Sequence, residues 1–278
     1  MACRDGYFGS MKLKPCLALF LALCLSGPAF AQSLDGLHSA EFRSGWQTNS
    51  GSYMTALDLR LQPGWKTYWR APGDAGIPPQ FDWKGSENIG RVAFHWPSPQ
   101  VFDLNGLRSV GYHDALVLPV EVFAADPSQP VKLRLTMHLG ICKEVCLPAS
   151  VRFVGEISGS GAPDPVIRTA LAARPLTASE AKVGAVRCIA EPIADGLRVT
   201  ARVTVPRING GDEAVVIESA DRTIWISEAE TNRAGDVVTA VSDLVGASGQ
   251  PFALDRSGLT LTLISGAASA EIKGCPAP

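Results

Sequence analysis

The sequence predicts an all-β protein of two tandem β-sandwiches joined by a short linker and helix, and three observations carry that prediction. With 27 glycines and 20 prolines among 278 residues, long helices are disfavoured and short strands between turns are favoured. From Val131 to Leu139, apolar Val131, Leu133, Leu135, Met137 and Leu139 alternate with Lys132, Arg134, Thr136 and His138, the period-two pattern of a half-buried strand. Through the second half, apolar segments recur about every ten residues, the spacing of sandwich strands.

Residues 1–31 read as a signal peptide. Lys12 and Lys14 form a charged segment, Leu17 to Leu25 is apolar, and Ala29-Phe30-Ala31 offers small residues for cleavage before Gln32. Met11 is an alternative start. The apolar run is about half the length that spans a bilayer, and no later stretch reaches that length, so the mature chain is expected to be exported, soluble and periplasmic. Bulky Leu23 disfavours a lipidated Cys24.

Residues 32–158 are expected to form the first sandwich. Its strands read Ser52–Leu61, Ala115–Phe123, Val131–Leu139 and Val151–Ile157, with Ala115–Phe123 apolar enough to be buried on both faces. The Gly/Pro-rich stretches Pro63–Pro79 and Pro97–Gly111 read as loops. Residues 159–182 form the linker, with a helix over Pro165–Ala173 that Asp164 caps, Pro165 opens and Pro175 stops. Residues 183–278 form the second sandwich, with strands Val183–Ala190, Leu197–Val205, Ala214–Ser219, Thr223–Ser227, Val237–Val241 and Leu259–Ile264.

Charge excludes one class of partner. Cleavage after Ala31 leaves 22 basic and 26 acidic side chains, a net charge of −4, with no basic footprint for nucleic acid. No Ser/His/Asp grouping and no phosphate-cradling glycine loop is present, and no cofactor is expected.

Four of the seven cysteines follow the signal segment: Cys142, Cys146, Cys188 and Cys275. An oxidising compartment and an even count point to disulfides, with three connectivities allowed. Cys142 and Cys146 follow the cleanest strand. An extended chain would hold their Cα atoms about 13 Å apart, whereas a disulfide needs roughly 4.4–6.8 Å. Pairing therefore requires a turn, and Gly140 and Pro148 bracket one. A five-residue ring there constrains the unfolded chain by only about 2 kcal/mol, against about 4.6 kcal/mol for a Cys188–Cys275 ring. The long ring is the better staple. The short one adds little stability, and labile bonds are the functional ones. Redox work is therefore assigned to Cys142 and Cys146, and clamping to Cys188 and Cys275. An inert hairpin staple is the competing reading. So is a metal site of His138, Cys142 and Cys146, whose soft ligands suit Cu(I) or zinc although the spacing fits standard zinc motifs poorly. On the strand pattern, His138 reads as a solvent-facing residue. Lys143 would lower a neighbouring thiol pKa and Glu144 would raise it. With no Cys-x-x-Cys motif, a self-contained oxidoreductase is not expected.

The run from Gly140-Ile141-Cys142 to Cys146-Leu147-Pro148 resembles the active-site segment of the N-terminal periplasmic domain of the DsbD thiol:disulfide interchange family and its ScsB relatives. Gly111-Tyr112-His113-Asp114-Ala115-Leu116-Val117-Leu118-Pro119-Val120 and Gly64-Trp65-Lys66-Thr67-Tyr68-Trp69 are similar to further motifs of that family. The stretch from Ser86-Glu87-Asn88 through Trp96-Pro97 is similar to the ScsB branch. The DsbD-like part covers Ser39 to Ser158, and the ScsB-like resemblance continues through Cys275. It implies immunoglobulin-like sandwiches that relay electrons from a membrane reductant to thioredoxin-fold periplasmic proteins. Because the sequence carries neither the membrane domain nor the thioredoxin-like domain, the expected donor is a separate membrane protein. The resemblance also implies that Cys146 is the more exposed cysteine, that Phe102 on a cap loop shields the pair, and that Tyr68 and Tyr112 occupy aromatic positions lining the site. Trp65, Trp69 and Trp96 read as core. DsbD has more than three residues between its cysteines, so local geometry and redox potential do not carry over. The alternatives are a Cu(I)-binding or copper-tolerance protein and a non-redox adaptor.

Overall fold

The computed structural model describes residues 35–104 and 106–277. The signal peptide expected over residues 1–31 lies outside them.

Residues 37–157 build two facing antiparallel sheets. The first has the order β1 (Leu37–Gln47), β2 (Tyr53–Leu61), β8 (Ala115–Ala124), β5 (Ile89–Phe94). The second runs β10 (Cys146–Ile157), β9 (Val131–Cys142), β3 (Lys66–Tyr68), β7 (Leu107–His113), β6 (Gln100–Leu104), with β4 (Gln80–Asp82) also on β9. Inward-facing Leu57, Leu59, Leu118, Leu133, Leu135, Met137 and Phe153 fill the space between them. Burial removes this apolar area from water, the main favourable term in folding.

Strand β2 is buried on both faces because α1 (Pro165–Ala172) covers its outer side. Ile167 packs there on Met54 and Ala56. The helix starts where the sequence predicts, with Asp164 Oδ1 accepting from the backbone N–H groups of Val166 at 2.7 Å and Ile167 at 3.3 Å. Arg43 spans Asp58 and Asp164, tying helix to sheet.

Residues 176–273 build the second sandwich. One sheet has the order β11 (Leu176–Thr177), β19 (Ala268–Lys273), β18 (Leu259–Ser265), β14 (Glu213–Ser219). The other runs β12 (Val186–Ile193), β13 (Gly196–Thr204), β17 (Val237–Val245), β15 (Trp225–Ile226), with β16 (Glu230–Ala234) also on β17. The Cys188–Cys275 disulfide links β12 to the residues just past β19, so it joins the two sheets through the core.

Three differences from the sequence reading have physical causes. The expected loops Pro63–Pro79 and Pro97–Gly111 contain β3, β6 and most of β7. Strand β3 is only Lys66–Tyr68, too short for a periodicity, and exists because β9 and β7 satisfy its backbone from both sides. Strands β9 and β10 extend past Leu139 and start before Val151, because their ladder continues to the Cys142–Cys146 pair. Edge strand β16 reads Glu-Thr-Asn-Arg-Ala, with no apolar alternation to reveal it.

The sandwiches meet through polar and apolar contacts. Arg70 donates to Glu218 at 2.8 Å and to Glu271 at 2.6 Å, and these carboxylates raise its pKa despite burial. Arg108 pairs with Glu228 at 2.7 Å. Ile264 and Val216 join the first core. Among the described residues, no helix is long and apolar enough to cross a membrane.

Candidate functional site

Cys142 ends β9 and Cys146 begins β10, facing each other as the last pair of the hairpin ladder with Lys143-Glu144-Val145 as the turn. Their Cα atoms are 4.2 Å apart and the sulfurs are bonded. The hairpin supplies the turn that the spacing demands. Alternation sets the side: Leu139 and Ile141 point into the core, so Gly140 and Cys142 lie on the outer face of the sheet. Cys142 is nonetheless 1 % exposed, whereas Cys146 is open to solvent. Val145 and Leu147 flank Cys146 as exposed apolar residues.

Tyr68 covers Cys142. Its hydroxyl lies 2.7 Å from Cys142 Sγ and 2.9 Å from Cys146 Sγ. Bonded sulfurs carry no proton, so the phenol is the donor to both. Burial pushes the Tyr68 pKa up, which keeps that proton in place. The ring reaches the sulfurs by lying across Gly140. A Cβ on Gly140 would meet Tyr68 ring carbons at 2.8 Å and Ile77 Cβ at 2.8 Å. Gly140, which the sequence reading took for a turn bracket, is thus the floor under Tyr68.

Lys66 stands opposite Cys142 on the neighbouring strand, two residues before Tyr68 and on the same face. It is buried, and its ammonium donates to Ser109 Oγ at 3.0 Å. It also lies 5.0 Å from the Phe102 ring centroid and 6.0 Å from that of Tyr68. Burial lowers its pKa. The reading from sequence missed Lys66. Its only signal there is a lone cation between aromatics in Trp65-Lys66-Thr67-Tyr68-Trp69.

The other anticipated residues divide. Phe102 is half-buried on β6 opposite Ser109, with its ring 4.5 Å from that of His113. It shares the outer face with the disulfide, and the group hydrogen-bonded to the sulfurs is the Tyr68 hydroxyl. Tyr112 does not line the site. It alternates with Gly111 and His113 on β7, so it turns into the core, stacks on Trp96 and donates to Pro97 O at 2.9 Å. That burial raises its pKa well above the ordinary tyrosine value. His138 is exposed, with Nδ1 2.8 Å from Ser150 Oγ, and among the described residues no three His, Cys, Asp or Glu side chains gather as a metal site would require.

Arranged this way, the site presents one attackable sulfur, one sheltered sulfur, a hydroxyl donor to both and a buried cation alongside. Residues 38–157 match the family described as thiol:disulfide interchange protein DsbD, N-terminal. No curated protein matches the sequence. The fold is similar to the crystal structure of the N-terminal periplasmic domain of ScsB from Proteus mirabilis, with a TM-score of 0.61 and 22% identity over 86% of this chain and 91% of that one.

Proposed function

We propose that this chain, whose residues 38–157 match the family of the DsbD N-terminal domain, exchanges disulfides with thioredoxin-fold partners through Cys142 and Cys146. The observation that carries the proposal is the asymmetry of the pair: an exposed Cys146 bonded to a buried Cys142 in a small ring. Exchange requires in-line access to one sulfur and a good leaving group at the other. A thiolate of the donor attacks Cys146 Sγ, the Cys142–Cys146 bond breaks, and Cys142 leaves with the electron pair. The donor's second thiolate then attacks its own sulfur of the mixed disulfide and releases Cys146 as a thiolate. Two electrons have passed to the chain, and the donor leaves oxidised. In the forward half, the Cys146 thiolate attacks the disulfide of the acceptor, and Cys142 resolves the mixed disulfide.

In this reading the donor is a separate membrane protein, the acceptor is a periplasmic thioredoxin-fold protein, and no cofactor takes part. Residues 32–158 carry the chemistry, 159–182 connect, and 183–278 form a support clamped by Cys188–Cys275. The test is a thiol-trapping mass map across graded reductant with a thioredoxin-fold dithiol as partner. Cys142–Cys146 is expected to open first, and a Cys142→Ser variant is expected to trap Cys146 in a mixed disulfide. Equal resistance of the two bonds overturns the proposal.

A further inference from the structure

Opening the disulfide creates a charge in a place poorly suited to hold one. Attack at exposed Cys146 makes Cys142 the leaving sulfur, and Cys142 is 1 % exposed. A buried thiolate without a partner is costly, because the charged form loses its hydration. Tyr68 supplies one hydrogen bond at 2.7 Å but no charge.

The missing charge stands on the next strand. Lys66 and Cys142 are directly opposed in the β3–β9 ladder. Side chains so opposed share a face, with Cβ atoms about 4.5–5.5 Å apart. The Lys66 ammonium is buried, and among the described residues it pairs with no carboxylate. Its hydrogen bond among these residues goes to the neutral Ser109 hydroxyl, and the rings of Phe102 and Tyr68 lie 5.0 and 6.0 Å from it. A cation kept buried with only a neutral acceptor has an unmet demand for an anion. Four rotatable side-chain bonds let it exchange Ser109 for a sulfur across the strand.

We propose that Lys66 is the counter-charge for the Cys142 thiolate, resting on Ser109 while the disulfide is closed and turning to Cys142 when it opens. This rests on the exchange reading given above and adds to it the group that makes Cys142 a good leaving sulfur. When the donor thiolate bonds to Cys146 Sγ and the electron pair stays on Cys142, the ammonium meets that pair as a salt bridge, with no proton moved. When Cys142 later resolves the acceptor's mixed disulfide, the ammonium returns to Ser109. Lys66 thus favours the reduced state over the oxidised one and speeds release of Cys142. Other titratable groups on the neighbouring elements are Tyr68 on its own strand, His113 opposite it on β7, Lys143 and Glu144 in the hairpin turn after Cys142, and Asp74 next in sequence to Ala75, whose carbonyl is a third acceptor for the Tyr68 hydroxyl. Asp103 and Arg108 pair with each other, at positions that alternate to the opposite face of β6 and β7.

The test uses the full chain with Cys146→Ser, which leaves Cys142 as the free thiol of the site, and follows alkylation of Cys142 by iodoacetamide against pH. In parallel, the chain with both cysteines is equilibrated with glutathione redox buffer and quenched for thiol trapping. With Lys66 present, Cys142 should ionise below the free-cysteine value of about 8.5. Lys66→Met should raise that value by about one unit and shift the glutathione equilibrium about tenfold toward the disulfide. Lys66→Arg should restore most of both. An unchanged pH profile and equilibrium in Lys66→Met overturns the inference, as does a larger shift from Lys143→Met or His113→Gln. Should Lys66→Met fail to fold, the Lys66-bearing profile alone decides, since ionisation above the free-cysteine value also overturns it. If the pair with Lys66 in place is never reduced by any dithiol, the exchange reading fails first, which is a different outcome from exchange that proceeds without help from Lys66.

Discussion

The two sandwiches each carry one disulfide, and the bonds differ in every property that decides what a disulfide does. Cys188–Cys275 closes a long stretch of chain, is buried at both sulfurs and crosses between two sheets. Cys142–Cys146 closes a hairpin within one sheet and presents one sulfur to solvent. The first has no route for an incoming thiolate, and breaking it frees a large loop. The second offers a route, and breaking it frees a turn that the β9–β10 ladder continues to hold. Chemistry is shared by the two bonds, and ring size, exposure and neighbouring groups set them apart.

The largest effect should come from removing each bond in turn. Cys188→Ala with Cys275→Ala is expected to cost about 4–5 kcal/mol of stability, and Cys142→Ala with Cys146→Ala about 2 kcal/mol or less, on loop entropy alone. Urea unfolding of the two double variants reads the contrast, and similar losses would break it. Next is the floor under Tyr68 at the Cys142–Cys146 pair. Gly140→Val places a branched side chain where even a Cβ meets Tyr68 and Ile77 at 2.8 Å, so about 1–3 kcal/mol of overpacking cost is expected. Tyr68 should leave the sulfurs, seen as faster alkylation of Cys142 after reduction.

Arg70→Met tests how far the second sandwich supports the first. It deletes charge-assisted bonds to Glu218 and Glu271, worth about 2 kcal/mol together at a partly exposed junction. Hydrogen exchange should then show β3 opening more readily than β13. The smallest effect is expected at Tyr112. Tyr112→Phe removes the bond to Pro97 O, about 1 kcal/mol, and should leave thiol exchange unchanged because the ring belongs to the core. Its pH signature is specific. A tyrosine whose folded pKa is raised contributes stability that is present below the unfolded pKa of about 10 and is lost as pH climbs toward the folded value. Urea midpoints measured from pH 9 to 11 should therefore fall for the parent protein and fall less for Tyr112→Phe.

Much of this was legible in the residues. Alternation marked β9, the cap Asp164 and Pro165 marked the helix, and the spacing of Cys142 and Cys146 demanded a turn that the hairpin supplies. Other features were hidden for definable reasons. Strand β3 is too short to show a period, and β16 is polar because it lies at a sheet edge. Tyr68 and Tyr112 belong to similar aromatic motifs, yet one lies on the sulfurs and the other in the core.

By itself, the sequence determined the local matters: strand periodicity, helix capping, the net charge, and ring sizes that rank two disulfides. These depend on residues close along the chain or on counting alone. Only the tertiary structure decided that β9 runs on past Leu139 to Cys142 and so carries the alternation to the sulfurs, that Gly140 lets Tyr68 reach them, and that Lys66 stands across from Cys142. Those facts depend on which strands become neighbours and in what register. A single-residue slip in that register would turn Lys66 into the core and away from the disulfide.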